Sequence, residues 1–281
     1  MYQKQDVTMD GSFLLVVGVS FILGKIKPKW MCLAYVMAVI YGIDCLLIYL
    51  GIKSKFFNLG YPQMIYLVGI LHLLEGLLTF SFGGKHSMPI MTYRGEKAAG
   101  GYQCYQRWLI PLLFFKMNGI YIPIIVSIVY ANDSFTYTPE EKAKRMGILI
   151  GGYGIVMLVI ARLIVGIHMP LVFVILCMPL LHEGLFLMDA YIEKGKAKYP
   201  YPLQGIRVME VSDKTDLEID RGDVIKTINE IPLVTEEEFM KVLKESIKCT
   251  LEIEKLSGEQ KRMTCTVQEI KAAKIIFLPM Y

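Results

Sequence analysis

The sequence predicts an integral membrane protein, in which a bundle of about six apolar helices is followed by one small α/β domain. Hydrophobic residues make up 54% of the chain and the mean hydropathy is +0.45, which leaves too little polar surface for a soluble protein of this size. The apolar residues form long blocks up to Met188, after which Lys, Glu and Asp become frequent. This change predicts a transmembrane helical domain at residues 1–190 and a soluble part after it.

Long apolar segments predict the individual helices. A helix that crosses a bilayer needs about 20 mainly apolar residues. The segments that reach this length are residues 30–51, 61–80, 108–130, 146–166 and 170–188. The apolar segment 12–24 is shorter than this, and we interpret it as a short first span or a partly embedded helix. Thr138-Pro139-Glu140-Glu141 combines an N-cap, a proline at the first helical position and a capping-box glutamate, so we expect a helix to begin before the membrane.

The charges and the cysteines indicate location. Basic residues flank the apolar segments and are slightly more numerous on the side that would hold both chain ends. This favours a multi-pass protein of the cell (plasma) membrane with a cytoplasmic C-terminal domain, and not a nucleic-acid partner. Cys32, Cys45 and Cys177 lie in apolar segments, and the other cysteines have no metal-ligand spacing. We expect free thiols and no metal or other cofactor.

Ionisable residues within the apolar segments are candidate functional groups, because charges in a membrane are costly. We interpret them as an intramembrane polar network that fixes helix packing, for instance by pairing Glu75 or Asp44 with Arg162. The network comprises Asp44, His72, Glu75, Arg162, His182 and Glu183. A bound ion or a substrate pathway, as in a small transporter, is an alternative.

A second alternative is an intramembrane metalloprotease. That chemistry needs two histidines four residues apart around a glutamate base. Phe186 stands at the corresponding position after His182-Glu183, and Gly76 at the one after His72. No catalytic residue is therefore predicted. Gly151-Gly152-Tyr153-Gly154 follows no predicted strand, so it predicts close helix packing and not a phosphate loop.

The soluble part reads as a mixed α/β domain at residues 202–270, between a linker at 191–201 and an apolar tail at 271–281. Strands are predicted at residues 205–211 and 223–228, and a hairpin joins 250–255 to 263–267 through a turn at Ser257-Gly258. Thr235 opens an amphipathic helix, because Glu238 completes a capping box with it.

The order of these elements resembles the bacterial PDZ pattern. Arg221-Gly222-Asp223-Val224-Ile225 matches the Gly-Asp turn of that family, and Ile228-Asn229-Glu230-Ile231-Pro232-Leu233 matches the following turn, although Asn-Glu replaces the usual Asn-Gly. The segment 212–219 also lacks the family's usual turn. The resemblance implies a peptide-binding groove between strand 205–211 and the helix, unless its residues are simply core. The groove residues would be Leu203, Gln204, Gly205, Ile206, Val208, Phe239, Val242 and Leu243.

Short motifs across the chain are similar to MinJ-type proteins, which are polytopic PDZ proteins of Gram-positive bacteria. They are His72-Leu73-Leu74-Glu75-Gly76, the segment 106–111, and His182-Glu183 before the linker. The resemblance implies a non-enzymatic membrane adaptor, or scaffold, in division-site (septum-site) selection. Its partners would be membrane lipid, division proteins of the DivIVA and MinD type and a second copy of the chain. The PDZ-bearing protease, or an inactive relative of one, and the small transporter remain alternatives.

Overall fold

The computed structural model describes residues 7–8, 11–52, 60–94, 97–117, 120–212 and 217–279. Within them the chain forms α-helices α1 (Gly11–Ile26), α2 (Leu33–Tyr49), α3 (Tyr61–Phe82), α4 (Pro139–Ile167), α5 (Leu171–Ile192), α6 (Glu236–Glu245) and α7 (Val267–Ala272). The strands are β1 (Val7–Thr8), β2 (Met88–Arg94), β3 (Lys97–Met117), β4 (Ile120–Ser134), β5 (Tyr199–Pro200), β6 (Ile206–Glu210), β7 (Val224–Ile228), β8 (Ile231–Pro232), β9 (Lys248–Glu254), β10 (Gln260–Thr266) and β11 (Ile276–Phe277).

The chain divides into two compact units, which we name by their main content. The helical unit comprises Met1–Gly83, Gln106–Tyr130 and Ala143–Ile192. The sheet unit comprises Gly84–Tyr105, Ala131–Lys142 and Glu193–Tyr281. The units therefore interleave along the sequence, whereas composition alone predicts one boundary near residue 190.

Three helices of the described residues are long and apolar enough to cross a membrane: α3, α4 over Pro139–Gly166, and α5. Large apolar side chains on them are exposed, including Phe173 (64%), Leu180 (68%) and Leu187 (72%). Such exposure is costly in water and costs nothing against lipid tails. The helices α1 and α2 are apolar but have only 16 and 17 residues, so the segments predicted at 12–24 and 30–51 yield shorter helices than a full span needs.

The helix predicted at residues 108–130 is wrong. This segment lies in β3 and β4, which pair with each other. An apolar run does not by itself distinguish a helix from a buried strand. Residues 120–130 are mostly Ile, Val and Tyr, and β-branched and aromatic side chains favour strands. Pro111 and Pro123 also oppose a continuous helix.

Glycines bring α3 and α4 close together in the helical unit. A Cβ atom added at Gly76 would lie 2.4 Å from the Gly151 nitrogen, and one at Gly154 would lie 2.5 Å from the Leu73 nitrogen. Small residues allow this approach between membrane helices. The predicted packing role is therefore confirmed for Gly151 and Gly154, whereas a Cβ at Gly152 would meet open space.

An antiparallel sheet forms the centre of the sheet unit, with strand order β10-β9-β7-β6-β11. The predicted hairpin is confirmed, since β9 and β10 pair from Lys248↔Thr266 to Glu254↔Gln260. Both predicted capping boxes form, at Thr138 with Glu141 and at Thr235 with Glu238. Helix α6 then packs Phe239 and Leu243 into the core of the sheet.

The predicted linker and the predicted C-terminal tail both take part in the packing of the sheet unit. In the predicted linker 191–201, Tyr199 is buried (1% exposed) and β5 pairs with β3 at Gly100↔Tyr199. In the predicted tail 271–281, Phe277 and Leu278 are each only 5% exposed. Both segments therefore contribute buried side chains to the sheet unit.

Candidate functional sites

The strand predicted to form the groove is β6, and both of its edges are paired. On one side Ile206 and Arg207 pair with β7. On the other side β11 runs antiparallel to β6, with Phe277 opposite Val208. The Leu278 N–H continues the pattern by donating to the Arg207 carbonyl at 2.8 Å. The chain's own residues 276–278 thus lie along the edge where an extended peptide was predicted.

Side chains of this segment alternate between two apolar clusters, as strand geometry requires. The Phe277 ring lies 5.1 Å from the Phe239 ring of α6, edge to face, within the main core. Leu278 packs in a second cluster with Tyr102, Tyr199 and Met209. The segment is therefore held by main-chain hydrogen bonds and by side-chain burial, the two contributions that bind a peptide in strand addition.

The predicted groove residues divide into two groups. Ile206, Val208, Phe239 and Leu243 are buried in the core, and Val242 packs against it while partly exposed. Leu203 and Gln204 are exposed. The apolar members pack in the same core cluster as Phe277, so they line the edge of β6 and belong to the core at the same time.

Gly205, directly before β6, has a left-handed backbone (φ +88°), and an added Cβ would lie 2.5 Å from the Ile225 oxygen. Glycine is required here by both conformation and space. Its N–H donates to the Leu233 carbonyl at 3.1 Å. This N–H is therefore already satisfied within the chain.

Buried charges hold the turn before β7. Asp223 is 1% exposed, and its carboxylate accepts from the Asp220 N–H at 2.8 Å and from Lys255 Nζ at 2.9 Å. Burial lowers the pKa of Lys255, but its bonds to Asp220 and Asp223 outweigh burial and raise that pKa overall. The Gly-Asp pair that carries the PDZ resemblance is thus structural.

A second candidate site lies in the helical unit, where three segments bring Cys32, His72 and His182 together. Cys32 caps the start of α2, His72 lies on α3 and His182 on α5. One potential metal-ligand atom of each residue lies within 4.8 Å of the others. The two imidazole rings are 5.3 Å apart, and the Tyr153 ring packs edge-on against both.

Glu183 belongs to the shell around this cluster. Its carboxylate accepts from Tyr35 Oη at 2.8 Å and from Lys29 Nζ at 2.7 Å. The same Tyr35 oxygen lies 3.1 Å from His182 Nδ1. The Glu183 carboxylate is therefore already bonded to the Lys29 ammonium and the Tyr35 hydroxyl. A general base needs an oxygen that can accept a proton from the substrate.

The remaining members of the predicted polar network lie elsewhere. Asp44 accepts a hydrogen bond from Tyr61 at 3.4 Å, and Glu75 is half-buried on α3. Arg162 is exposed, and among the described residues it pairs with neither acid. The suggested pairing of Arg162 with Glu75 or Asp44 is thus wrong, because its side chain points away from the packed side of the helix.

Sequence reasoning missed Cys32, Tyr35, Lys29 and Glu193. The first three precede His72 and His182 by long stretches, so no local spacing links them. Glu193 sits in the stretch that reads as a linker, and the only signal for it is an acidic residue at the end of a long apolar helix.

No protein-family model, curated protein or solved structure matches this chain. The resemblances to PDZ domains and to MinJ-type proteins therefore stay predictions.

Proposed function

We propose that this protein is a membrane-anchored, non-enzymatic adaptor. Its apolar helices would hold it in the cell membrane as a multi-pass protein. A PDZ-like sheet unit at the cytoplasmic face would bind an extended segment of a protein partner along β6. By resemblance to MinJ-type proteins, the partner would be a protein of the division site.

One observation carries the proposal: residues 276–278 lie antiparallel along β6 with Phe277 against Phe239. The edge of this strand thus has the backbone register and the apolar floor that hold an extended chain. A partner's strand with an apolar residue in the place of Phe277 would make the same main-chain bonds.

The resident segment is short enough to be displaced. Its pairing with β6 comprises Ile276, Phe277 and the hydrogen bond of the Leu278 N–H, and Ile276 is 45% exposed. A tethered segment competes with an effective concentration on the order of millimolar. A partner with a longer strand would compensate for that competition by forming more ladder bonds.

Peptide binding to a truncated chain tests the proposal. The variant ends at Lys274 and is purified in detergent beside the full chain. The probe is a fluorescent peptide with the sequence of residues 272–281, and its anisotropy reports binding. We expect the truncated chain to bind the peptide at least about 10-fold more tightly than the full chain, because the tethered competitor is absent.

A matched peptide carrying Phe277→Asp controls for non-specific binding to detergent or to the apolar helices. It should lose binding, since a carboxylate against Phe239 would be desolvated without a partner. Thermal unfolding verifies that the truncated chain is folded. If the truncated chain is folded but shows no binding with a Kd of about 1 mM or tighter, the proposal is contradicted.

A further inference from the structure

We infer that Cys32, His72 and His182 form a binding site for one zinc-class divalent metal ion in the helical unit. The inference is independent of the proposed peptide edge, which lies in the sheet unit. It rests on the hydrogen bonds that orient each ligand.

The bonding of His72 presents one ring nitrogen as an electron-pair donor. Its Nδ1 lies 2.8 Å from the Val68 carbonyl oxygen. A carbonyl only accepts, so Nδ1 carries the proton and Nε2 has the free electron pair. Nε2 lies 3.5 Å from the Cys32 sulfur. A backbone carbonyl on the far nitrogen is a common partner of a metal-binding histidine.

The same reasoning assigns His182. The Glu183 carboxylate lies 2.7 Å from Lys29 Nζ and accepts the single Tyr35 O–H proton at 2.8 Å. The Tyr35 oxygen must then accept from His182 Nδ1 at 3.1 Å. His182 Nε2 is left with its electron pair, in a carboxylate–phenol–histidine chain like those that orient metal ligands.

Without a metal, the hydrogen-bonding capacity of Cys32, His72 and His182 is not fully used. The Cys32 S–H can donate to one imidazole, and the geometry gives that bond to His72. Among the described residues no hydrogen bond reaches His182 Nε2. His72 is only 5% exposed and His182 is half-buried, which limits the access of water to the cluster. A single cation would engage an electron pair of each residue, once the Cys32 thiol has released its proton to the solvent.

The ligand set selects the class of metal. One thiolate and two imidazoles suit Zn²⁺, whereas Mg²⁺ and Ca²⁺ prefer oxygen ligands. Three protein ligands leave the fourth tetrahedral position open for water or another small ligand. The metal would also tie the start of α2 to α3 and α5, three segments far apart in sequence.

Metal titration of the full chain in detergent tests the inference. The chain is stripped with a chelator and reduced, then titrated with Co²⁺, whose thiolate charge-transfer and tetrahedral bands report the ligand set. We expect one equivalent to bind, Zn²⁺ to displace it, and Cys32→Ser to weaken binding more than about 100-fold. Cys45→Ser and His168→Gln remove an exposed cysteine and an exposed histidine outside the cluster, and they should bind as the unaltered chain does.

Tyr35→Phe separates a metal site from a fold defect, because it keeps every ligand and removes only the orienting oxygen. We expect a 10- to 100-fold loss of affinity, while the metal-free chain still unfolds cooperatively on heating. Binding that is absent in the folded full chain, or equal in Cys32→Ser and Cys45→Ser, would overturn the inference. Binding of Cu⁺ alone would overturn the choice of metal class.

Discussion

Replacing Glu193 by glutamine is expected to destabilise the sheet unit strongly. The Glu193 carboxylate accepts from Lys142 Nζ at 2.9 Å and from the Phe135 and Thr136 N–H groups at 3.1 Å each. The Lys142 side chain is 0% exposed and that of Glu193 15%. Glu193→Gln leaves the buried ammonium without this counter-charge, and breaking a buried ion pair from one side costs about 3–5 kcal/mol.

Hydrogen exchange of the full chain in detergent measures this cost. A loss of 3–5 kcal/mol corresponds to exchange that is roughly 150- to 5000-fold faster in the backbone around residues 135–136. The double variant Lys142→Met with Glu193→Gln removes the buried charge and should recover most of the protection. Glu254→Gln breaks the half-exposed pair with Lys226 and should cost only about 0–1 kcal/mol.

Exchange in Glu193→Gln that is no faster than in Glu254→Gln would refute this prediction.

The Glu193–Lys142 ion pair also makes the stability of the sheet unit depend on pH. Burial raises the pKa of Glu193, but Lys142 and the two N–H groups outweigh burial, so that pKa lies below its ordinary 4.5. A lowered carboxyl pKa contributes stability above pH 4.5 that is lost as the pH falls through the folded-state value. Glu193→Gln should remove this acid-dependent part.

Further predictions concern the helices and the topology. Gly76→Ala should lower the thermal midpoint of the chain, because its Cβ would lie 2.4 Å from the Gly151 nitrogen; Gly152→Ala, which meets open space, is the control. Because the adaptor proposal gives the helices no catalytic role, Glu183→Gln should leave partner recruitment by the sheet unit intact, and loss of substrate cleavage at normal abundance would favour a protease. Leu203→Cys, at a fully exposed position, should label with an impermeant thiol reagent only after lysis if the sheet unit is cytoplasmic. Labelling in intact cells would reverse the topology.

The native cysteines of the sheet unit are poor probes for that experiment. Cys265 is 4% exposed, and burial raises the pKa of its thiol to about 11. Its thiolate is the reactive form, so slow labelling would follow from burial whichever side of the membrane it faces. Leu203→Cys avoids this ambiguity.

Local chemistry explains which elements were predictable. The capping boxes at Thr138 and Thr235 and the turn at Gly258 are hydrogen-bonded within a few residues, so the sequence pattern contains the whole interaction. The long apolar helices α3, α4 and α5 were equally predictable, because helices that could cross a membrane satisfy their backbone internally and need only length and apolarity.

The errors lie where the partner is distant in sequence. An apolar stretch such as 108–130 is a helix or a strand according to what pairs with it, and β3 and β4 pair with each other. The occupied edge of β6 depends on Phe277, beyond the region that resembles a PDZ domain. The cluster of Cys32, His72 and His182 combines residues from three segments far apart in the sequence, so no local motif predicts it.

Hydrogen exchange with a bound peptide tests the central claim, that β6 accepts an extended partner segment, most directly. The full chain is compared with and without a saturating peptide selected for binding to the chain truncated at Lys274. We predict that residues 206–210 stay protected while residues 275–279 exchange faster, because the peptide replaces the chain's own segment on the same edge. Unchanged protection of 275–279 with the peptide bound would contradict the account, since the peptide would then lie somewhere other than the edge of β6.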